Sequence, residues 1–520
     1  MLIKSEPDEI QSFLGDASNM QGGSAEQVLF PESTEETAFA LMSATREMTP
    51  VTVAGAGTGV VGGRVPLGGV VLATDRLNRI KEIVQEEGGG HARAGSGVLL
   101  ADFQSAVEAE GLLYPPDPTE RSCYLGGSVA TNASGARTFK YGPTRGYIRR
   151  LKIALATGDV LDLRRGEVRA DTNGKLLIPL PRGRSIEAHL PSYRMPQTRK
   201  HASGYYVAPG MDALDLFIGS EGTLGVITEV EARLLPKPTG VLSGVTFFSD
   251  EAQLLAFVRE ARDRSLRTRA SQERTGKSAE EIFAEKARLD DEWPDSMDID
   301  ARALEYFDDQ SLHLLRQHYE RVPLAATGAI YFEQETTGAT EDDYLMVWYA
   351  LLQRHGALLD ESWFAVDEKD RARLREFRHH LPVLVNEWLA HHGQRKVSTD
   401  MAVPDEEFAP MLRFYKETLR ASSLRFVIFG HIGDNHVHVN IMPRDQQEAA
   451  TARAVYLRFV ERAVQVGGTI SAEHGIGKLK RDYLRVLYTE QHLRAMAALK
   501  KAFDPACILG RGNIFAEDYL

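Results

Sequence analysis

Residues 51–73 constrain the fold more than any other stretch. Val51-Thr52-Val53-Ala54 reads as a short strand, Gly55-Ala56-Gly57-Thr58-Gly59-Val60-Val61-Gly62-Gly63 follows it, and Val70-Val71-Leu72-Ala73 reads as a second strand. Gly57, Gly59 and Gly62 satisfy G-x-G-x-x-G, but that motif has to open a helix. The next residues, Gly63-Arg64-Val65-Pro66-Leu67-Gly68-Gly69, cannot hold one. What remains is a strand–loop–strand whose bare amides can line a concavity for phosphate oxygens. A Gly-rich turn with no ligand is the plainer alternative for this loop taken alone.

Two more runs repeat the theme. The pattern at Leu99–Glu110 predicts an amphipathic helix capped by Gly111, followed by Tyr114-Pro115-Pro116-Asp117-Pro118. Gly126-Gly127-Ser128-Val129-Ala130-Thr131-Asn132-Ala133-Ser134-Gly135-Ala136-Arg137 then has small side chains almost throughout, so a backbone there can approach a flat ligand closely. Leu151–Ala156, a Thr157-Gly158-Asp159 turn and Val160–Leu163 predict a hairpin. After a charged, Pro-rich insertion at 164–200, Leu216-Phe217-Ile218-Gly219-Ser220-Glu221-Gly222-Thr223-Leu224-Gly225-Val226-Ile227-Thr228 returns to glycines beside apolar strands.

Length and charge narrow the class. The 520 residues fit about three domains, and 43% hydrophobic with 26% charged residues is ordinary for a soluble protein. A net charge of −12 argues against a nucleic-acid partner. Cys123 and Cys507 alone give neither a disulfide framework nor a thiolate zinc site. The start, Met1-Leu2-Ile3-Lys4-Ser5-Glu6, has no signal-peptide pattern, and no apolar run approaches the ~18 residues of a transmembrane segment. The expectation is a cytoplasmic enzyme, with peripheral docking on the inner membrane face left open.

The second half carries the titratable chemistry. Leu234-Leu235-Pro236-Lys237-Pro238 reads as a domain exit. Strands and helices beyond it, among them a helix at 251–265 and a strand at Gly328–Glu333, predict an α+β domain to about residue 460. No structure is set for the charge-rich 270–300. Residues 367–392 have a long helical pattern bearing Arg371, Arg373, Arg375, Arg378, His379 and His380, in which Pro382 forces a kink or a new start. Most of these arginines fit a solvated face. Arg378, flanked by Phe377 and Leu381, can project from an apolar wall and grip a carboxylate. Helices are expected at 405–421, 447–466 and 479–503.

The densest patch is Phe429-Gly430-His431-Ile432-Gly433-Asp434-Asn435-His436-Val437-His438-Val439-Asn440, after a strand-like Phe426-Val427-Ile428-Phe429. Ser471-Ala472-Glu473-His474-Gly475-Ile476-Gly477-Lys478 is a second one. Their histidines and carboxylates suit a metal site or an acid–base centre; histidines merely hydrogen-bonded in a core are the plainer alternative. Strand geometry alone pairs His436 with His438 on one face.

The loops at 53–63, 115–142 and 215–228 resemble, in order and spacing, the FAD-binding domain of the vanillyl-alcohol oxidase/p-cresol methylhydroxylase flavoproteins. The second half resembles the D-2-hydroxyacid dehydrogenase branch of that family, which holds glycolate oxidase, the D-lactate dehydrogenases and the D-2-hydroxyglutarate dehydrogenases. Its pattern G-H-x-G-D-G-N-x-H-x-N, then S-x-E-H-G-x-G, is met here with Asn435 for Gly and His436 for Asn. Only 164–200 and 270–320 look divergent.

The resemblance implies an α+β fold: a two-lobed FAD-binding domain (1–236), an α+β cap with an antiparallel sheet (237–460), and a C-terminal helical segment (461–520) returning to the flavin domain. It puts Gly55, Ala56, Gly57, Thr58 and Gly59 at the pyrophosphate. Pro116, Asp117, Gly126, Gly127, Thr131 and Gly135 fall along the flavin, and Glu221, Gly222 and Ile227 near the adenine half. Residues 51–69 lack the histidine that tethers FAD in some relatives, so non-covalent FAD is expected.

It further implies His431, His438 and Glu473 as ligands of a divalent metal, zinc first, and His474 as the base that takes the hydroxyl proton as hydride leaves for flavin N5. Arg378, Lys396 and Asn440 would hold the carboxylate of a small 2-hydroxyacid, although relatives place the lysine closer to the counterpart of Asp400. Electrons would pass to a quinone, a cytochrome or an electron-transfer flavoprotein, and a homodimer is left open. The rivals are an oxygen-using oxidase of the same fold, a zinc hydrolase built on His436-x-His438, and a non-catalytic flavin-binding module.

Overall fold

Ser33 starts the first long helix by accepting from the Glu36 amide (3.1 Å), and Met48 ends it in the left-handed region. This helix, Thr34–Glu47, turns Ala38, Leu41 and Ala44 onto Leu29, Val51 and Leu72, and so covers three strands of one sheet. The computed structural model describes residues 1–279, 281–283, 297–365 and 367–520. The charge-rich stretch at 270–300 lies partly outside them. The chain divides into two compact units. The first comprises Met1–Gly135, Gly142–Lys237 and Thr469–Leu520, and the second Ala136–Tyr141 and Pro238–Gly468.

In the first unit, β1 (Leu2–Lys4), β2 (Gln27–Phe30), β3 (Val51–Ala54) and β4 (Val70–Ala73) form a sheet ordered β1-β2-β4-β3, with β2 and β3 both parallel to β4. The glycine loop leaves the end of β3, and no helix follows before β4. A second, antiparallel sheet has the order β5-β6-β12-β8-β9: β5 (Ile80–Glu86), β6 (Gly89–Gly95), β8 (Ile148–Ala154), β9 (Val160–Arg164) and β12 (Val226–Pro236). β7 (Leu112–Leu113) pairs with the end of β12. The predicted helix spans Leu100–Ala109, and the predicted hairpin is β8–β9, turned at Gly158 with φ +84°. The insertion at 164–200 contains a hairpin that composition did not announce, β10 (Lys175–Pro179) with β11 (Ser185–His189). Its alternating Leu176, Ile178 and Ala188 are buried.

Thr469–Leu520 packs with these sheets. Val51 bridges Leu509 in parallel, and Ile508 and Leu509 join the cluster of Leu29, Val51 and Leu72. The expected helix at 479–503 is divided. Short turns at Arg481–Tyr483 and Leu484–Leu487 precede a helix, Glu490–Phe503, that starts anew because Thr489 caps it.

The second unit is built on one antiparallel sheet, ordered β16-β13-β15-β14-β18-β19-β17. Its strands are β13 (Gly240–Phe248), β14 (Ala301–Asp308), β15 (Gly328–Thr336), β16 (Trp363–Phe364), β17 (Val397–Ser398), β18 (Phe426–Gly430) and β19 (His438–Ile441). One continuous helix, Glu368–His391, runs through Pro382 without a new start. The lost hydrogen bond and ring clash cost about 3 kcal/mol, offset here by Phe377, Leu381, Leu384, Val385 and Leu389, all buried against Val245, Phe307 and Val427. Helices Phe408–Ser422 and Gln446–Gln465 match the expected spans within a few residues.

Candidate functional site

In the first unit the glycine loops are fixed by what their missing side chains leave room for. Gly57 sits at φ +83°, where an L side chain would be strained, and a Cβ there would lie 2.3 Å from Arg64 Nη1. Arg64 in turn donates to the Gly55 carbonyl (2.8 Å) and to Ser12 O, clamping the loop. Gly59 and Gly127 face open space. Among the described residues, the amides of Ala56, Gly57, Thr58 and Gly59 donate to no other group of the chain. A row of uncommitted donors beside open space fits the phosphates of a dinucleotide.

The second run is locked by two close approaches. A Cβ on Gly126 would come 2.4 Å from Ser96 Cβ, and one on Gly135 would come 2.0 Å from Asp117 O. Pro116 is fixed through its carbonyl, which accepts from Gln104 Nε2 (2.9 Å), and Thr131 bonds back to Gly127 O (3.1 Å). The third run docks on it: Gly219 and Glu221 donate to Val129 O and Ala130 O. Glu221 and Gly222 have φ of +53° and +71°, and Ile227 lies buried opposite Ile153.

Four side chains here escaped sequence reasoning: Arg64, Lys200, Lys478 and Asn513. The Glu221 carboxylate accepts from the Ile476 and Gly477 amides (2.7 and 2.6 Å), and burial pushes its pKa up to about 6. Lys478 donates to Asn513 Oδ1 (2.7 Å) and reaches Gly62 O and Gly63 O at 3.3 and 3.4 Å, while burial pulls its pKa down to about 8. Lys200 is fully buried, with Nζ 2.8 Å from Gly135 O and 2.6 Å from Glu473 Oε1. The only signal was proximity: Arg64 ends the first glycine run and Lys478 ends the last. Glu473 and His474 belong to this unit.

In the second unit β18 and β19 are neighbours, so the loop between them returns His438 opposite Phe429 and close to His431. Within that loop Asn435 takes φ +54°, a conformation asparagine tolerates, which explains how it stands where glycine is usual. Its side chain is held by Arg262 and Asp405. The ring centroids of His431, His436 and His438 lie 5.4, 5.6 and 4.5 Å apart, and one ligand nitrogen from each falls within 4.8 Å of the others.

Each ring has an oxygen close by. His431 Nδ1 is 2.7 Å from Glu305 Oε1, His438 Nδ1 is 3.0 Å from Thr399 O, and His436 Nε2 is 3.1 Å from Asp400 Oδ1. The other Glu305 oxygen takes Arg378 Nε at 2.9 Å, so one carboxylate orients both an imidazole and the guanidinium. Asn440 is buried two residues along β19, its amide 3.3 Å from His438 O. Lys396 is exposed, just before β17. Glu305 and Asp400 were not singled out as site residues; a carboxylate inside the apolar strand Leu304-Glu305-Tyr306-Phe307 was the available signal.

Cys123 and Cys507 are both free. Among the described residues, no helix is long and apolar enough to cross a membrane.

Comparison with known proteins agrees with this geometry. Residues 25–164 match the family described as FAD binding domain, and residues 295–514 match FAD linked oxidases, C-terminal domain. The chain is 31% identical to a D-lactate dehydrogenase of Anaerostipes hadrus, over 98% of this chain and 93% of that one. It is 28% identical to glycolate oxidase subunit GlcD of Bacillus subtilis (97% and 92% covered) and 25% to a D-2-hydroxyglutarate dehydrogenase of Stutzerimonas stutzeri (99% and 96%). Among solved structures, 4-ethylphenol oxidase from Gulosibacter chungangensis shares the fold with a TM-score of 0.65 at 17% identity, covering 100% of this chain and 95% of that one. An alkyldihydroxyacetonephosphate synthase matches with a TM-score of 0.65 at 15% identity, over 98% and 82%. The chain therefore belongs to the FAD-linked oxidoreductase family that includes the D-lactate dehydrogenase of Anaerostipes hadrus, and is a flavoprotein oxidoreductase.

Proposed function

We propose that this enzyme oxidises a D-2-hydroxyacid of the lactate, glycolate or 2-hydroxyglutarate class to the 2-oxoacid, in the cytoplasm, with non-covalently bound FAD. The observation that carries the reading is the histidine cluster whose Glu305 also orients Arg378. Bound FAD supplies the two-electron acceptor. His431 and His438 would hold a divalent metal, zinc first, joined by Glu473 as the family resemblance implies. Such an ion favours the ionised form of the substrate hydroxyl.

The chain's own groups do the rest. Arg378, fixed by Glu305, grips the substrate carboxylate with Asn440 and Lys396 as further donors. His474 removes the hydroxyl proton, a step worth about 10²–10⁴-fold in rate, or roughly 3–5 kcal/mol of barrier. The electrons leave to a quinone, a cytochrome or an electron-transfer flavoprotein.

The test is an anaerobic panel of D- and L-2-hydroxyacids followed by flavin bleaching. A D-acid should bleach the flavin within turnover times and its L-partner should not. A panel in which no 2-hydroxyacid reduces the flavin overturns the reading, and stoichiometric hydrogen peroxide in air would mark an oxidase instead.

A further inference from the structure

His436 stands where the family pattern has asparagine, and nothing in the proposed reaction uses it. It is fully buried, as is Asp400 beside it. A fully buried imidazole has to be answered by polar partners. Strand alternation alone would have made His436 a neighbour of His438 only. The loop also brings it to His431, because its amide donates to His431 O (3.2 Å).

We propose that His436 is a third imidazole ligand, so that the second unit by itself presents a three-histidine metal site. The inference rests on the metal-assisted reading above and deepens it. Three observations carry it. First, one nitrogen from each ring lies within 4.8 Å of the others, so that a small closing of the rings onto bonds of about 2.1 Å would let one ion take all three. Second, His431 and His438 each have a hydrogen-bonded oxygen behind them, Glu305 and the Thr399 carbonyl, and Asp400 Oδ1 stands 3.1 Å from His436 Nε2. Metal-bound histidines have this outer arrangement, since an acceptor on one ring nitrogen fixes the tautomer that leaves a lone pair on the other. Third, three imidazoles converging in a buried space set lone pair against lone pair, or proton against proton if charged. A divalent cation removes that conflict, and the buried carboxylates of Glu305 and Asp400 answer its charge.

Asparagine, which the family pattern has at this place, would offer an amide there, so His436 would add an imidazole to that pattern. Three imidazoles suit zinc, copper, iron or nickel. The site would then retain metal without depending on Glu473.

The test uses the full-length holoenzyme, stripped with a chelator and titrated with Co²⁺, reading both affinity and the visible ligand-field bands. His436→Asn should bind Co²⁺ at least about 10–100-fold more weakly, the range already seen for outer partners, and should shift the bands. FAD content and the circular dichroism melt should stay unchanged. His436→Gln repeats the test if asparagine packs badly. Wild-type affinity and spectrum in both variants overturn the proposal while leaving the dehydrogenase reading intact. No Co²⁺ bound by the wild type overturns this proposal and the metal-assisted part of the reading, while the anaerobic flavin assay decides the dehydrogenase activity separately.

Discussion

The two units solve recognition in opposite ways. The flavin unit uses backbone: glycines pared to the point where a Cβ would collide with Arg64, Ser96 or the Asp117 carbonyl, and amides left free at residues 56–59. The other unit uses side chains, three imidazoles with an oxygen close to each. A backbone site writes itself into sequence as missing side chains. A side-chain site depends on which distant strands become neighbours, and so on register.

That contrast can be broken by substitution, and the largest effect should fall on the proton. His474→Ala should slow anaerobic flavin reduction by about 10²–10⁴-fold while the FAD spectrum stays normal; an unchanged rate would remove His474 from the chemistry. Glu305→Gln comes next. It loosens His431 and Arg378 together, so metal affinity should drop about 10–100-fold and KM for the acid should rise, whereas FAD retention should not move. Loss of FAD on this change would mean that the two kinds of site are not separable.

Gly135→Ala probes the opposite side. Its new Cβ would meet Asp117 O at 2.0 Å, so the backbone has to shift. A cost of about 1–3 kcal/mol is expected, seen as FAD fluorescence released at lower temperature with metal content intact.

The smallest effect concerns pH. Burial raises the Glu221 pKa from 4.5 to about 6, so the folded chain holds this proton more tightly than the unfolded one. Its contribution to stability is complete below pH 4.5 and is lost as pH rises through about 6. The span is on the order of 2 kcal/mol. Glu221→Gln should flatten the pH dependence of Tm across this window; a wild-type slope in the variant would exclude Glu221 as its source.

The regular elements and the glycine loops were legible because each is local. The 3.6-residue period gave Leu100–Ala109, the two-residue period gave β8 and β9, and Pro66 with its flanking glycines ruled out a helix after β3. What escaped depends on contacts between distant residues. Glu305 meets His431 because β14 pairs with β18, Tyr306 opposite Gly430. Asp400 meets His436 because Ala402 bridges that residue. Pro382 sits inside an unbroken helix because one face is buried deeply enough to offset the lost bond, and burial depth is not written in a local pattern. The hairpin at 175–189 hid under charge, since only alternate residues point inward.

One consequence follows for how such a chain is made. The first glycine run takes shape among residues that leave the ribosome early, yet Val51 finds its parallel neighbour at Leu509 and Glu221 finds its amide donors at 476 and 477. Synthesis is vectorial, so the nucleotide cradle is finished only once residues 476–509 have emerged. A chain stalled before residue 469 would therefore lack the parts that brace the cradle.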